Sequence, residues 1–85
     1  MSTPMSSALF IVTEYAQRQG DIARVFCSLP MCLKDASRFA AALSYAHGAY
    51  CQVSAVSTGE NYGEWWYAGA ISRSSDIPPI NGGAK

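Results

Sequence analysis

Charge is scarce in this chain: six Lys and Arg balance six Asp and Glu, together 14% of 85 residues, and neither sign gathers into a run. A nucleic-acid binder that works through phosphate contacts carries a basic stripe, and a protein that imitates nucleic acid carries an acidic one, so the balance speaks against both modes. Long hydrophobic runs are missing as well. Residues 8–12 form an apolar run too short for a signal-peptide core or a membrane span, and residues 1–7 lack a basic lead-in. The expected location is therefore the cytoplasm, without a membrane partner. Cysteine is sparse, and Cys27, Cys32 and Cys51 make an odd count with no framework spacing, which fits reduced thiols better than a secreted scaffold.

Apolar residues, by contrast, make up 49% of the chain, and few charges are available to keep such a surface wet. Some of that surface is expected to meet another molecule. One domain of this length has little room for an enclosed active site. Residues 1–7 are expected to be a disordered N-terminus, residues 8–73 a single α+β domain, and residues 74–85 a flexible C-terminal tail.

Residues 8–17 (ALFIVTEYAQ) are rich in β-branched and aromatic side chains, and both alternate sets carry bulk, which suits a central strand. Gly20 supplies a hairpin turn into a second strand over residues 22–29, which Pro30 ends. From Leu33 the spacing becomes helical: Ala36, Phe39, Ala40, Leu43 and Ala46 or His47 form the stripe, with Lys34, Arg38 and Ser44 off it. Gly48 is the expected left-handed residue closing the helix. Residues 50–58 and 64–73 follow as strands, so the order is ββαββ: one helix on one face of a four-stranded, mainly antiparallel sheet. Strand order 2-1-3-4 places the bulkiest strand inside, with 2-1-4-3 as an alternative. The segment after Asp76, with Pro78, Pro79, Gly82 and Gly83, continues neither strand nor helix, and Ile77 and Ile80 are the residues that would strap it to the surface.

Chemical constellations are few. The set Cys27-x4-Cys32-x14-His47-x3-Cys51 has zinc-ligand residue types. A continuous helix between Cys32 and His47 would hold them roughly 20 Å apart, which no shared ion allows. The same distance separates Cys32 from the only histidine as a base, and Cys51 shares its alternation set with Val53 and Ala55 in the expected core. The acidic residues are scattered, and residues 59–63 (GENYG) lack the lysine and following helix of a phosphate loop. No enzymatic activity, metal or cofactor is expected.

The remaining constellation is the sheet face away from the helix. Trp65, Trp66 and Tyr67 are consecutive, so aromatic rings must lie on both faces. Placing Leu9, Ile11, Val25, Cys27, Cys51, Val53, Trp65, Tyr67 and Ile71 under the helix leaves Phe10, Val12, Glu14, Arg24, Phe26, Gln52, Ser54 and Trp66 outward. The expected partner-binding residues are Phe10, Arg24, Phe26, Gln52 and Trp66 on that face, with Tyr62 in the loop and Arg18 and Arg73 beside it. Mixed aromatic and arginine surface is typical of binding hot spots. A homodimer or the tail would be the alternative cover. Stacking of RNA bases on such rings would need a basic rim and an RNP-like strand, and neither is present.

The run 8–15, its hairpin into 22–29, the helix 33–44 (LKDASRFAAALS) and the aromatic hairpin through Trp65-Trp66-Tyr67 resemble, in arrangement and size, small phage-encoded anti-CRISPR proteins. The resemblance implies a stoichiometric inhibitor in the host bacterial cytoplasm that binds a Cas subunit of a surveillance complex, by analogy type I, and blocks target DNA binding or nuclease recruitment. It also implies that Arg18, Arg24, Arg38 and Arg73 would suit contacts with protein or with guide-RNA phosphates. A non-enzymatic homodimeric accessory protein of a phage or mobile element is the alternative.

Overall fold

The computed structural model describes residues 9–56 and 61–80 and, within them, every side chain but those of residues 61–63 and 74. Strand β1 (Phe10–Gln17) turns into β2 (Ile22–Cys27), and helix α1 (Leu33–His47) leads to β3 (Tyr50–Ala55), β4 (Asn61–Tyr67) and β5 (Ala70–Ser72). A 3₁₀ turn over Ser74–Asp76 follows. The sheet has five strands in the order β2-β1-β3-β4-β5, with every neighbouring pair antiparallel. The α+β class and the 2-1-3-4 order of the first four strands are as expected.

The fifth strand corrects the expectation of four. Residues 64–73 do not run as one strand, because Ala68 (φ 56°) and Gly69 (φ 85°) both take left-handed backbone and fold the segment into a tight hairpin. Two consecutive positive φ values are the geometry of a primed turn, whose twist matches that of its flanking strands. Alanine gives no hint of such a turn, since its Cβ disfavours this conformation.

Strand β2 also stops short of the expected residue 29. Ser28 keeps its backbone N–H on the Val12 carbonyl (2.8 Å), but its hydroxyl accepts the Val12 N–H (2.9 Å) and donates to the Leu29 carbonyl (3.0 Å). A side chain thus replaces the ladder and lets the chain peel away. It returns once, where Met31 and Phe10 exchange backbone hydrogen bonds of 2.8 and 2.7 Å, before entering the helix.

Helix α1 matches the periodicity, and Gly48 closes it in left-handed conformation (φ 60°, ψ 34°). Its buried stripe is Ala36, Ala40 and Ser44, small residues four apart that let the helix lie close on the strands. Ser44 was expected off the stripe but is fully buried. Its hydroxyl donates to the Ala41 carbonyl (3.0 Å) and accepts the Gly69 N–H (3.0 Å), so the helix holds the β4–β5 turn through a satisfied polar group.

The core under the helix contains Phe10, Val12, Ala36, Ala40, Cys51 and Val53, with Phe39, Leu43 and Trp66 packed against it. Cys51 and Val53 lie where expected. For β1 and β4 the faces are reversed: Phe10, Val12 and Trp66 face the helix, while Tyr15 and Trp65 form a second cluster with Ile22 that is joined by Tyr50 and Ile77. Alternation could not choose a phase in β1, since both sets are bulky, and Glu14 counted misleadingly as a solvent residue. Its carboxylate turns inward to His47, with Oε2 2.7 Å from Nδ1 at the end of the helix. Glu64 likewise faces the helix, accepting from Ser37 Oγ (2.6 Å) and from the Trp66 indole N–H (3.1 Å).

The segment after Asp76 crosses the sheet away from the helix. Ile77 packs on the Tyr15, Ile22 and Trp65 cluster, and Ile80 forms a parallel bridge with Ile22, whose N–H donates to the Pro79 carbonyl (3.0 Å). The strap anticipated from Ile77 and Ile80 therefore exists, and it covers one end of the open face from the β5 side to the β2 edge.

Candidate functional site

Cross-strand pairing builds a shallow groove on the part of the open face that the strap leaves uncovered. Ile11 lies opposite Ser54 and Thr13 opposite Gln52 across β1 and β3, while Tyr15 lies opposite Arg24 across β1 and β2. These residues, with Ala55 and Val56, line a concavity of about 300 Å³.

Arg24 reaches this face through a bulge. Phe26 pairs with Glu14 and Arg24 with Tyr15, leaving Val25 unopposed on β2. A bulge re-aims the side chains on either side of it. Arg24 consequently shares the groove with Tyr15, whereas Phe26, two residues on, sits on the helix side with its ring 6.2 Å from Phe39 in an edge-on arrangement.

The groove is polar at its floor and unbalanced in charge. Gln52 is only 3% exposed and Thr13 only 6%, yet neither side chain has a hydrogen-bond partner among the described residues. Their polar atoms are open to the concavity and not sealed, since the one sealed and unpaired side-chain oxygen among the described residues is Asp21 Oδ1, so water or a ligand in the groove can partner them. Arg24 makes no ion pair, and no carboxylate lines the groove among the described residues. Burial pushes the Tyr15 phenol above its ordinary range, with Arg24 pulling it back and Cys27 adding to the rise, so the hydroxyl stays protonated as a donor at neutral pH.

Of the residues expected to bind a partner, the structure brings together Arg24 and Gln52. Phe10 is buried under the helix, and Trp66 is partly buried there with its indole N–H on Glu64, which corrects their outward placement. Phe26 is exposed but on the helix side of the sheet edge. Arg18 is in the β1–β2 turn, 4.0 Å from Asp21, and Arg73 is exposed just after β5. The Tyr62 side chain lies outside the described residues. Thr13 and Tyr15 are the polar groove residues the sequence placed elsewhere, and reading β1 in the opposite phase finds both; Ser54 lies on the outward face as expected.

Cysteine and histidine do not converge on chemistry here. His47 meets Glu14, and burial, reinforced by Glu14, pushes the Cys51 thiol up to about 12, well above the range of a usable nucleophile. Cys27 and Cys32 are exposed. No group of three or more His, Cys, Asp or Glu is placed to hold a metal ion among the described residues. No described helix is long and apolar enough to cross a membrane. Comparison with protein-family models, with curated proteins and with solved structures finds no match to this chain.

Proposed function

We propose that the protein acts by binding and without chemistry, as an anti-CRISPR inhibitor that engages a Cas subunit of a type I surveillance complex in the host bacterial cytoplasm. Binding there would block target DNA or nuclease recruitment. The observation that carries the binding half is the groove, with Arg24 unpaired and the Gln52 and Thr13 side chains at its floor making no hydrogen bond to a described residue. The inhibitor half is supported by size and layout, one helix on a small antiparallel sheet, together with a formal net charge of zero. Balanced charge favours contact with a protein subunit over imitation of DNA.

Mixing the purified chain with purified type I complexes, followed by size-exclusion chromatography and a DNA-binding assay, tests the reading. The expected result is stoichiometric co-elution and loss of target-DNA binding, with Arg24→Ala weakening the interaction on the order of 30-fold, as for a binding hot spot. Full DNA binding and no co-elution across such complexes refute it. A second copy of the chain is the alternative partner, favoured by exposed Val25, Phe26 and Leu29 along and just after β2. Concentration-dependent dimerisation in sedimentation experiments would support that homodimeric reading.

A further inference from the structure

We infer that the groove seats a single carboxylate side chain, Glu or Asp, presented by an extended acidic segment of the partner protein; this rests on the binding reading above. Every polar side chain at the groove has a donor to offer: the Arg24 guanidinium, the hydroxyls of Thr13, Tyr15 and Ser54, and the Gln52 amide. None of the five spends that donor on a described neighbour. Of the described acids, Glu14 is engaged with His47, Glu64 with Ser37 and Trp66, and Asp21 lies 4.0 Å from Arg18. A site whose described residues offer donors and one cation but no anion selects an anion.

Size and charge number narrow the choice to a carboxylate. The concavity of about 300 Å³ is at the small end for ligand sites, with room for a side chain and its backbone rather than a cofactor. Ile11, Ala55 and Val56 supply apolar walls that suit the methylenes of an acidic side chain. A guanidinium fork matches a planar carboxylate in both charge and geometry. A phosphate would find no second cation among the described groove residues: Arg18 lies beside Asp21 in the turn, Lys34 and Arg38 are on the helix, and Arg73 follows β5, at the opposite end of the sheet from β2. Gln52 and Thr13 at the groove floor add further donors that a carboxylate entering the site can engage.

Nuclear magnetic resonance titration of the ¹⁵N-labelled chain tests this with N-acetylglutamate N-methylamide as the probe. Its neutral glutamine isostere, an O-phosphoserine derivative and a uridine dinucleotide serve as competing chemistries. The expected result is saturable shifts at the amides of Thr13, Arg24, Gln52 and Ser54, with a Kd on the order of 1–10 mM, and binding of the glutamine isostere weaker by about tenfold. Arg24→Gln, at an exposed position, should fold normally and erase the preference for glutamate. The inference is overturned by equal response to glutamine, by tighter binding of either phosphate probe, by shifts centred elsewhere, or by no saturable shift. Glutamate binding without co-elution of a Cas complex would sink the inhibitor reading and keep the groove. Co-elution indifferent to Arg24→Gln would do the reverse.

Discussion

The assignment of Trp65 and Trp66 to opposite faces makes a quantitative prediction, since their surroundings differ. Trp65 is 6% exposed, with its ring 5.4 Å from that of Tyr15 and with Ile22, Tyr50 and Ile77 around it. Truncation of a core aromatic to alanine costs about 3–5 kcal/mol. One wall of this site is the strap, which can settle into the gap, so the lower half of that range, about 3–4 kcal/mol, is expected for Trp65→Ala. Trp66 is only partly buried, and its loss removes one hydrogen bond to Glu64, so about 2 kcal/mol is expected for Trp66→Ala and about 1 kcal/mol for Trp66→Phe. Small domains hold roughly 5–15 kcal/mol in total, and each kcal/mol moves Tm by about 4–8 °C, so the two alanine variants should be well separated. Urea unfolding followed by far-ultraviolet circular dichroism measures the costs. Fluorescence then identifies the face: removing residues 77–85 should shift Trp65 emission to the red in a Trp66→Phe background and leave Trp66 unchanged in a Trp65→Phe background. A larger loss from Trp66→Ala than from Trp65→Ala, or a strap deletion that moves Trp66 alone, would refute the face assignment and with it the groove.

Cys51 predicts a particular alkaline sensitivity. An unfolded chain releases a cysteine proton near pH 8.5, whereas burial holds the folded thiol protonated up to about 12. Stability from this group is therefore intact below about pH 8.5 and falls as pH rises towards the folded value, by roughly 1–2 kcal/mol at about pH 10 after allowance for solvent relaxation. Cys51→Ala should remove that slope in urea melts, and an unchanged slope would contradict the burial argument. In the native protein at pH 8, Ellman's reagent should titrate Cys27 and Cys32 quickly and Cys51 only after denaturant is added. At the β4–β5 turn, Ala68→Gly or Ala68→Asn should raise stability by about 0.5–1 kcal/mol, because the left-handed backbone there suits either residue better than alanine. A thermal melt showing loss instead would mean that the turn is not of the primed type.

How much of this could be read in advance depended on whether a residue's local pattern agreed with its tertiary role. The helix stood out because Ala36, Phe39, Ala40 and Leu43 recur at one period and Gly48 ends them. The strap was legible as two isoleucines flanking a Pro-Pro pair. The sheet faces were not, because Phe10-Ile11-Val12 puts bulk on both sides and Glu14 belongs inside only once His47 comes round to meet it. Arg24 and Phe26 are two apart and should share a face; the bulge at Val25 separates them, and no residue type at that point announces it. Ser44 failed for a related reason. A hydroxyl on an alanine stripe looks like a solvent position until the Gly69 N–H arrives from a turn 25 residues away. The groove inherited these errors, since it is made by register and only then by composition.

The treatment of the sheet's two outer strands limits how the chain can meet others. An open edge invites another chain to add a strand, the route to fibrils and to β-augmented complexes. Here β5 is three residues long, and β2 carries the Val25 bulge, while the Pro79 carbonyl already occupies the Ile22 amide. With 49% apolar residues and little charge to keep copies apart, such guarded edges divert encounters from backbone zippering to side-chain contact on the faces. The same devices that shield the backbone edges from other copies leave side-chain surfaces, the groove among them, as the places where contact can be made.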